Sequence, residues 1–179
     1  GDTIFHQIPT FELINQDSLL TTSEKLNDKL YVVSFFFSRC GTVCPIITRN
    51  QKVVQEEFKG NDKVKIVSIS IDAAHDSPSV LKQYAIENGI DTNQWFLFTG
   101  DKKYIYDLAI KGFKLPVADA SVYDASITSP DETFIHSEKL LLIDTKGYIR
   151  GIYDGTIKDE IKRLNVEIKI LLDGLNQNK

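Results

Sequence analysis

Two long apolar runs, Tyr31–Phe37 and Val64–Ile71, with a helix-spaced stripe between them, constrain this fold more than any other feature. Both runs are continuous and rich in β-branched and aromatic residues, which predicts strands buried on both faces. Between them Ile46, Ile47, Val53, Val54 and Phe58 recur at helical spacing, Pro45 stands near the helix start, and Lys59-Gly60-Asn61-Asp62 ends it. Two strands joined by a helix must run parallel, so the chain belongs to the α/β class.

The remaining elements extend this unit. Ser77-Pro78 predicts a helix N-terminus, with Val80, Leu81, Tyr84 and Ala85 on its buried face and Asn88-Gly89 at its end. Phe11–Ile14 and Trp95–Phe98 read as short strands, and 101–110 as a short helix. Residues 112–133 lack a clear period and read as a loop or hairpin insertion. Leu140–Ile143 and Tyr148–Tyr153 form a hairpin around Asp144-Thr-Lys-Gly147. A closing amphipathic helix spans 156–175, with Ile157, Ile161, Leu164, Ile168 and Leu171/Leu172 on one face. One domain over 1–179 accounts for the whole chain, with 1–10 as a mobile lead-in.

Both cysteines, Cys40 and Cys44, fall where the first run turns into the first helix. A helix N-terminus stabilises a thiolate, and Arg39 adds a cation, so these sulfurs are expected to be reactive. In a helical turn, four-residue spacing puts both on one side. Such a pair can bind a soft metal, act as a redox dithiol, or form a staple. A staple across one turn removes little chain entropy and is the least useful of the three. Among the three histidines, His6 and His75 read as solvated surface residues, and His136 precedes the strand at Leu140. The net charge of −4 gives no basic face for nucleic acid. No apolar run is long enough to span a membrane. Starting at Gly1 and lacking methionine, the chain reads as an excised mature segment that a signal or anchor preceded.

The run Phe36-Phe-Ser-Arg-Cys40-Gly-Thr-Val-Cys44-Pro45 resembles the Cys-x-x-x-Cys-Pro element of the Sco/SenC proteins. Val67–Ala85, Phe98-Thr-Gly100, Phe134-Ile-His136-Ser137 and Leu142–Gly147 match further parts of that family in order, so the likeness covers roughly residues 10–175. It implies a thioredoxin-like fold with a central mixed sheet, flanking helices and the insertion near 112–133. It also implies copper, as Cu(I) or Cu(II), held by Cys40, Cys44 and His136. Two thiolates and an imidazole suit Cu(I), although zinc also accepts such a set. The implied role is a metallochaperone rather than an enzyme. It would deliver copper or electrons to another copper protein, such as the dinuclear copper site of cytochrome c oxidase. The implied setting is extracytoplasmic, in the periplasm or cell envelope, as a monomer tethered only through a missing N-terminal anchor.

Two departures stand out. Ala73-Ala74 follows Asp72 where the family often has proline, and Ile135 precedes His136 where it often has aspartate. A thiol–disulfide oxidoreductase acting through Cys40 and Cys44 is the main alternative. It lacks the proline that opens the strand facing a thioredoxin dithiol, since the nearest is Pro130. A thiol peroxidase would need Thr at Phe37 or Gly41. A binding module that has lost its chemistry would not need Cys40, Cys44 and His136. Ligand exchange requires exposed thiolates in an open site, and the insertion is the candidate lid or partner contact.

Overall fold

The computed structural model describes residues 6–177. In chain order the elements are β1 (Glu12–Asn15), β2 (Leu20–Thr22), β3 (Leu30–Phe36), α1 (Cys44–Glu57), β4 (Val64–Ser70), α2 (Pro78–Asn88), β5 (Trp95–Thr99), α3 (Lys102–Asp107), β6 (Val117–Asp119), α4 (Pro130–Thr133), β7 (Phe134–His136), β8 (Lys139–Ile143), β9 (Ile149–Asp154) and α5 (Lys158–Gln177). The main sheet has seven strands in the order β2-β1-β5-β4-β3-β8-β9. β3, β4 and β5 run parallel, while β8, β9, β1 and β2 join antiparallel.

The centre follows from composition. Every residue of β3 and β4 is buried, as strands covered on both faces require. Alternation along β3 splits its side chains between two layers. Phe36 packs against Tyr84 of α2 and Ser34 meets Gln51 of α1, whereas Phe35 packs against Phe113 on the other face. The α2 signals act as expected: the Ser77 side chain accepts from the Val80 N–H, and Gly89 closes the helix at φ 66°.

Helix faces differ from the apolar stripes read in sequence. In α1 Ile47 and Val54 are buried, but Ile46 and Val53 are exposed, and the inward face is completed by Thr48, Asn50, Gln51 and Gln55. Each of these polar side chains has a partner, on Tyr84, Gly155, Ser34 and Gly89 respectively, so burial does not leave them unpaired. Ile157 lies before α5 and is exposed, while Ile161, Leu164 and Ile168 are buried. The expected helix over 101–110 is shorter, because α3 passes into a π-turn at Leu108–Gly112.

The mobile lead-in expected over 1–10 gives way, for residues 6–10, to a strap. Ile8 N–H donates to Gly147 O, Ile149 N–H donates to His6 O, and Ile8 is buried. Residues 1–5 lie outside the described residues. The insertion is a hairpin: β6 and β7 pair antiparallel, with His136 opposite Val117.

Candidate metal centre

Three chain segments converge at the carboxyl end of β3. The first is the loop between β3 and α1, which carries Cys40, with Cys44 as the first residue of α1. Val43, the N-cap, offers no side-chain cap, and the Cys44 N–H instead points at Cys40 Sγ at 3.4 Å. The Cys40 sulfur therefore occupies the place of a helix cap, where an unpaired donor and the helix dipole favour a thiolate.

The second segment is the loop after β4. Asp76, fully buried, accepts from the Ser38 N–H at 2.9 Å, from the Ser38 hydroxyl, and from the Ser70 hydroxyl at 2.6 Å. Asp72, also buried, receives Nε and Nη2 of Arg39 at 3.0 and 2.8 Å. This corrects the expectation that Arg39 serves the sulfurs as a nearby cation. A buried carboxylate needs a counter-charge, and Asp72 takes it. The two residues just before Cys40 are thus pinned from the β4 side.

The third segment is the insertion. Alternation in β7 turns Ile135 outward and leaves Phe134 and His136 half-buried on the inner face. Phe37 holds both: its ring lies 5.2 Å from Phe134 and 5.7 Å from His136, edge-on to the imidazole at 82°. His136 Nδ1 lies 2.9 Å from Ser137 O, which can only accept, so Nδ1 carries the proton. Nε2 is then the lone-pair nitrogen, and it faces Cys44 Sγ at 3.1 Å. Sequence reading missed Asp131 of α4, whose Oδ1 accepts the Gly41 N–H at 2.9 Å. No spacing rule announces a carboxylate ninety residues away in an aperiodic stretch.

The donor atoms of Cys40, Cys44 and His136 all lie within 4.8 Å of one another. Bonds of about 2.3 Å to sulfur and 2.0 Å to nitrogen would bring such donors around a single ion with shifts of a few tenths of an ångström. Two sulfurs and one imidazole nitrogen make a soft donor set, so it fits a thiophilic ion. His6 instead bonds Gly112 O, and His75 is exposed in the loop after β4. Neither joins the cluster.

The two thiols are electrically unequal. Cys40 is held far below the ordinary thiol range, down to about 3, first because the Cys44 thiol donates to it and then by hydrogen bonds from the Cys44 and Thr42 backbone, against the cost of burial. Cys44 is pushed up because its proton is held by Cys40, with burial and the charges of Cys40 and Asp131 adding to the effect. The pair therefore behaves as one thiolate and one thiol sharing a proton. Both are free cysteines and both are buried, at 8% and 2% exposure. The open site with exposed thiolates expected from sequence is therefore a covered one.

Residues 4–170 match the family model described as SCO1/SenC. The chain belongs to the SCO1/SenC family. The SCO1 protein homolog of Bacillus subtilis is 28% identical over 160 residues, covering 88% of this chain and 83% of that protein. The crystal structure of a SCO1/SenC family lipoprotein from Bacillus anthracis superposes with TM-score 0.82 at 28% identity, covering 94% and 96% of the two chains. BsSco, described as having a disulfide switch and as a member of the Sco family of cytochrome c oxidase assembly proteins, gives 0.77 at 24% identity over 94% and 95%. Copper-bound ScoI of Bradyrhizobium japonicum gives 0.73 at 19% identity over 92% and 99%. The fold is thus the thioredoxin-like mixed sheet of the Sco proteins.

Proposed function

We propose that this chain binds one copper ion through Cys40, Cys44 and His136 and passes that ion, or electrons, to a partner copper protein, with the dinuclear copper site of cytochrome c oxidase as the target. The observation that carries the reading is the meeting of His136 Nε2 with Cys44 Sγ across 92 sequence positions. An imidazole held by its Nδ1–H on Ser137 and by Phe37 is pre-aimed at the sulfurs, as a ligand is and an incidental neighbour need not be. Copper in a solved Sco relative and the assembly role stated for BsSco support copper and the partner class. The lipoprotein relative supports an extracytoplasmic, tethered setting, and no helix among the described residues is long and apolar enough to cross a membrane. We place the protein there as a monomer.

Copper is cargo here, and the chain's residues set how it is held and released. Cys40 presents a ready thiolate, Cys44 yields its proton on binding, and His136 completes the set from a different segment. Ligand exchange can then proceed one donor at a time. A Cu(II) titration of the reduced protein tests this. Intense sulfur-to-copper absorption saturating at one equivalent is expected, with loss of the saturable band in His136→Ala. Linear growth of absorption past one equivalent in both proteins contradicts it.

The second reading, a thiol–disulfide oxidoreductase, is favoured by the asymmetric thiol pair, since a low-pKa attacking sulfur beside a protonated one is what exchange requires. Reduction of insulin, or of a partner's cysteine pair, by the metal-free protein distinguishes it.

A further inference from the structure

The sulfurs are buried, and the insertion beside them makes few hydrogen bonds beyond itself. Among the described residues, the hydrogen bonds of Ala120–Thr133 run within 119–134, with one exception: the Gly41 N–H donates to Asp131 Oδ1 at 2.9 Å. That single bond joins the α4 end of the insertion to the loop between the two cysteines. Asp131 Oδ2 lies 3.4 Å from where a Cβ on Gly41 would stand, so the carboxylate rests against the glycine backbone. Asp131 is itself exposed, and no cation among the described residues pairs with it.

We propose that Asp131 is a positioning residue for the thiol pair: by accepting the Gly41 N–H it fastens the insertion over Cys40 and Cys44, and breaking this bond admits a reactant to the sulfurs. The hairpin root stays in place when the latch opens, because β6 and β7 remain paired and Lys102 holds Asp119. The opening is therefore confined to the 120–133 end. The reactant this admits is a soft electrophile or an incoming thiolate ligand, the class that both metal exchange and thiol–disulfide exchange need. The inference concerns the site of the proposed function, but it rests on shielding of the sulfurs and not on copper.

The test uses reduced, metal-free protein, so that it can fail independently of any copper result. Alkylation of the two cysteines by iodoacetamide is followed by mass spectrometry, and exchange of the Gly41 amide by NMR, in the wild type, Asp131→Ala and Asp131→Asn. Losing one hydrogen bond of ordinary strength should speed both by roughly three- to tenfold in Asp131→Ala. Asp131→Asn keeps an oxygen acceptor but loses the charge, which roughly halves such a bond, and should fall between wild type and Asp131→Ala. Exchange at amides of β3 and β4 should be unchanged in both, which separates latch opening from global loosening. Unchanged Gly41 exchange and alkylation in Asp131→Ala overturn the proposal. So does an Asp131→Asn protein that behaves like Asp131→Ala, because charge and not the hydrogen bond would then be responsible. Acceleration that extends equally to β3 and β4 also overturns it.

Discussion

The cysteine loop is gripped from two sides, and the grips differ in kind. On the β4 side, Asp72 and Asp76 are buried carboxylates that hold Arg39, Ser38 and Ser70 through several charge-assisted hydrogen bonds. On the insertion side, one exposed carboxylate meets one backbone N–H, and a half-buried imidazole leans on Phe37. Bonds shielded from water are expensive to break, and those at the surface exchange readily with solvent. The two sulfurs are thus set by the rigid side and the third donor comes from the yielding one. A carrier that must hold and then release an ion is served by that division, since the donor that leaves first can do so without disturbing the sulfurs.

Asp76→Ala should show the largest effect. It strands three donors, two of half-buried Ser38 and one of buried Ser70, and a loss of about 3 kcal/mol in urea unfolding is expected. A loss below about 1 kcal/mol would mean the β4 side is no firmer than the insertion. His136→Ala comes next and acts on the other side: copper affinity should fall more than a hundredfold, beyond the roughly 10- to 100-fold cost of losing an outer partner, with the unfolding midpoint little changed. A large stability loss in this variant would erase the contrast between the sides.

Smaller effects concern the thiols. Unfolded, both titrate near the ordinary value of about 8.5. The folded chain has already released the Cys40 proton at neutral pH, so the unfolded state binds more protons there, and this contribution to stability grows as pH rises to the ordinary thiol range and is lost as pH falls toward about 3. Cys44 works in the opposite sense: folding retains its proton, so its contribution is complete below the ordinary range and declines above it. The stability gap between wild type and Cys40→Ser, read from urea midpoints across pH 5–10, should therefore widen from acid toward about pH 8. A pH-independent gap contradicts the shared-proton pair. The same asymmetry predicts that Cu(I) binding at pH 8 draws about one proton, not two, from the thiols, measured by calorimetry in buffers of different ionisation enthalpy.

Much of this was legible in the sequence where one physical rule dominates. Continuous apolar runs gave β3 and β4 to within one residue at each end, and Ser77 and Gly89 gave both ends of α2. The resemblance placed His136 with Cys40 and Cys44, and the β6–β7 hairpin supplies the means. What stayed hidden depends on partners distant in sequence. The inward face of α1 is partly polar because Ser34, Tyr84 and two carbonyls await it, which no hydropathy period records. Arg39 looked like a cation for the sulfurs until Asp72 claimed it. Ile135, where the family often has aspartate, points outward, while a carboxylate from Asp131 reaches the cysteine loop by another route. Burial of both thiols likewise comes from tertiary packing and not from their spacing.

The central claim is that an imidazole from the insertion joins the two sulfurs around one ion. X-ray absorption at the copper edge on protein loaded with one equivalent tests it most directly. The account predicts two sulfur scatterers and one imidazole, with the imidazole pattern absent in His136→Ala. A first shell made of sulfur alone, or an imidazole signal that survives removal of His136, would contradict it.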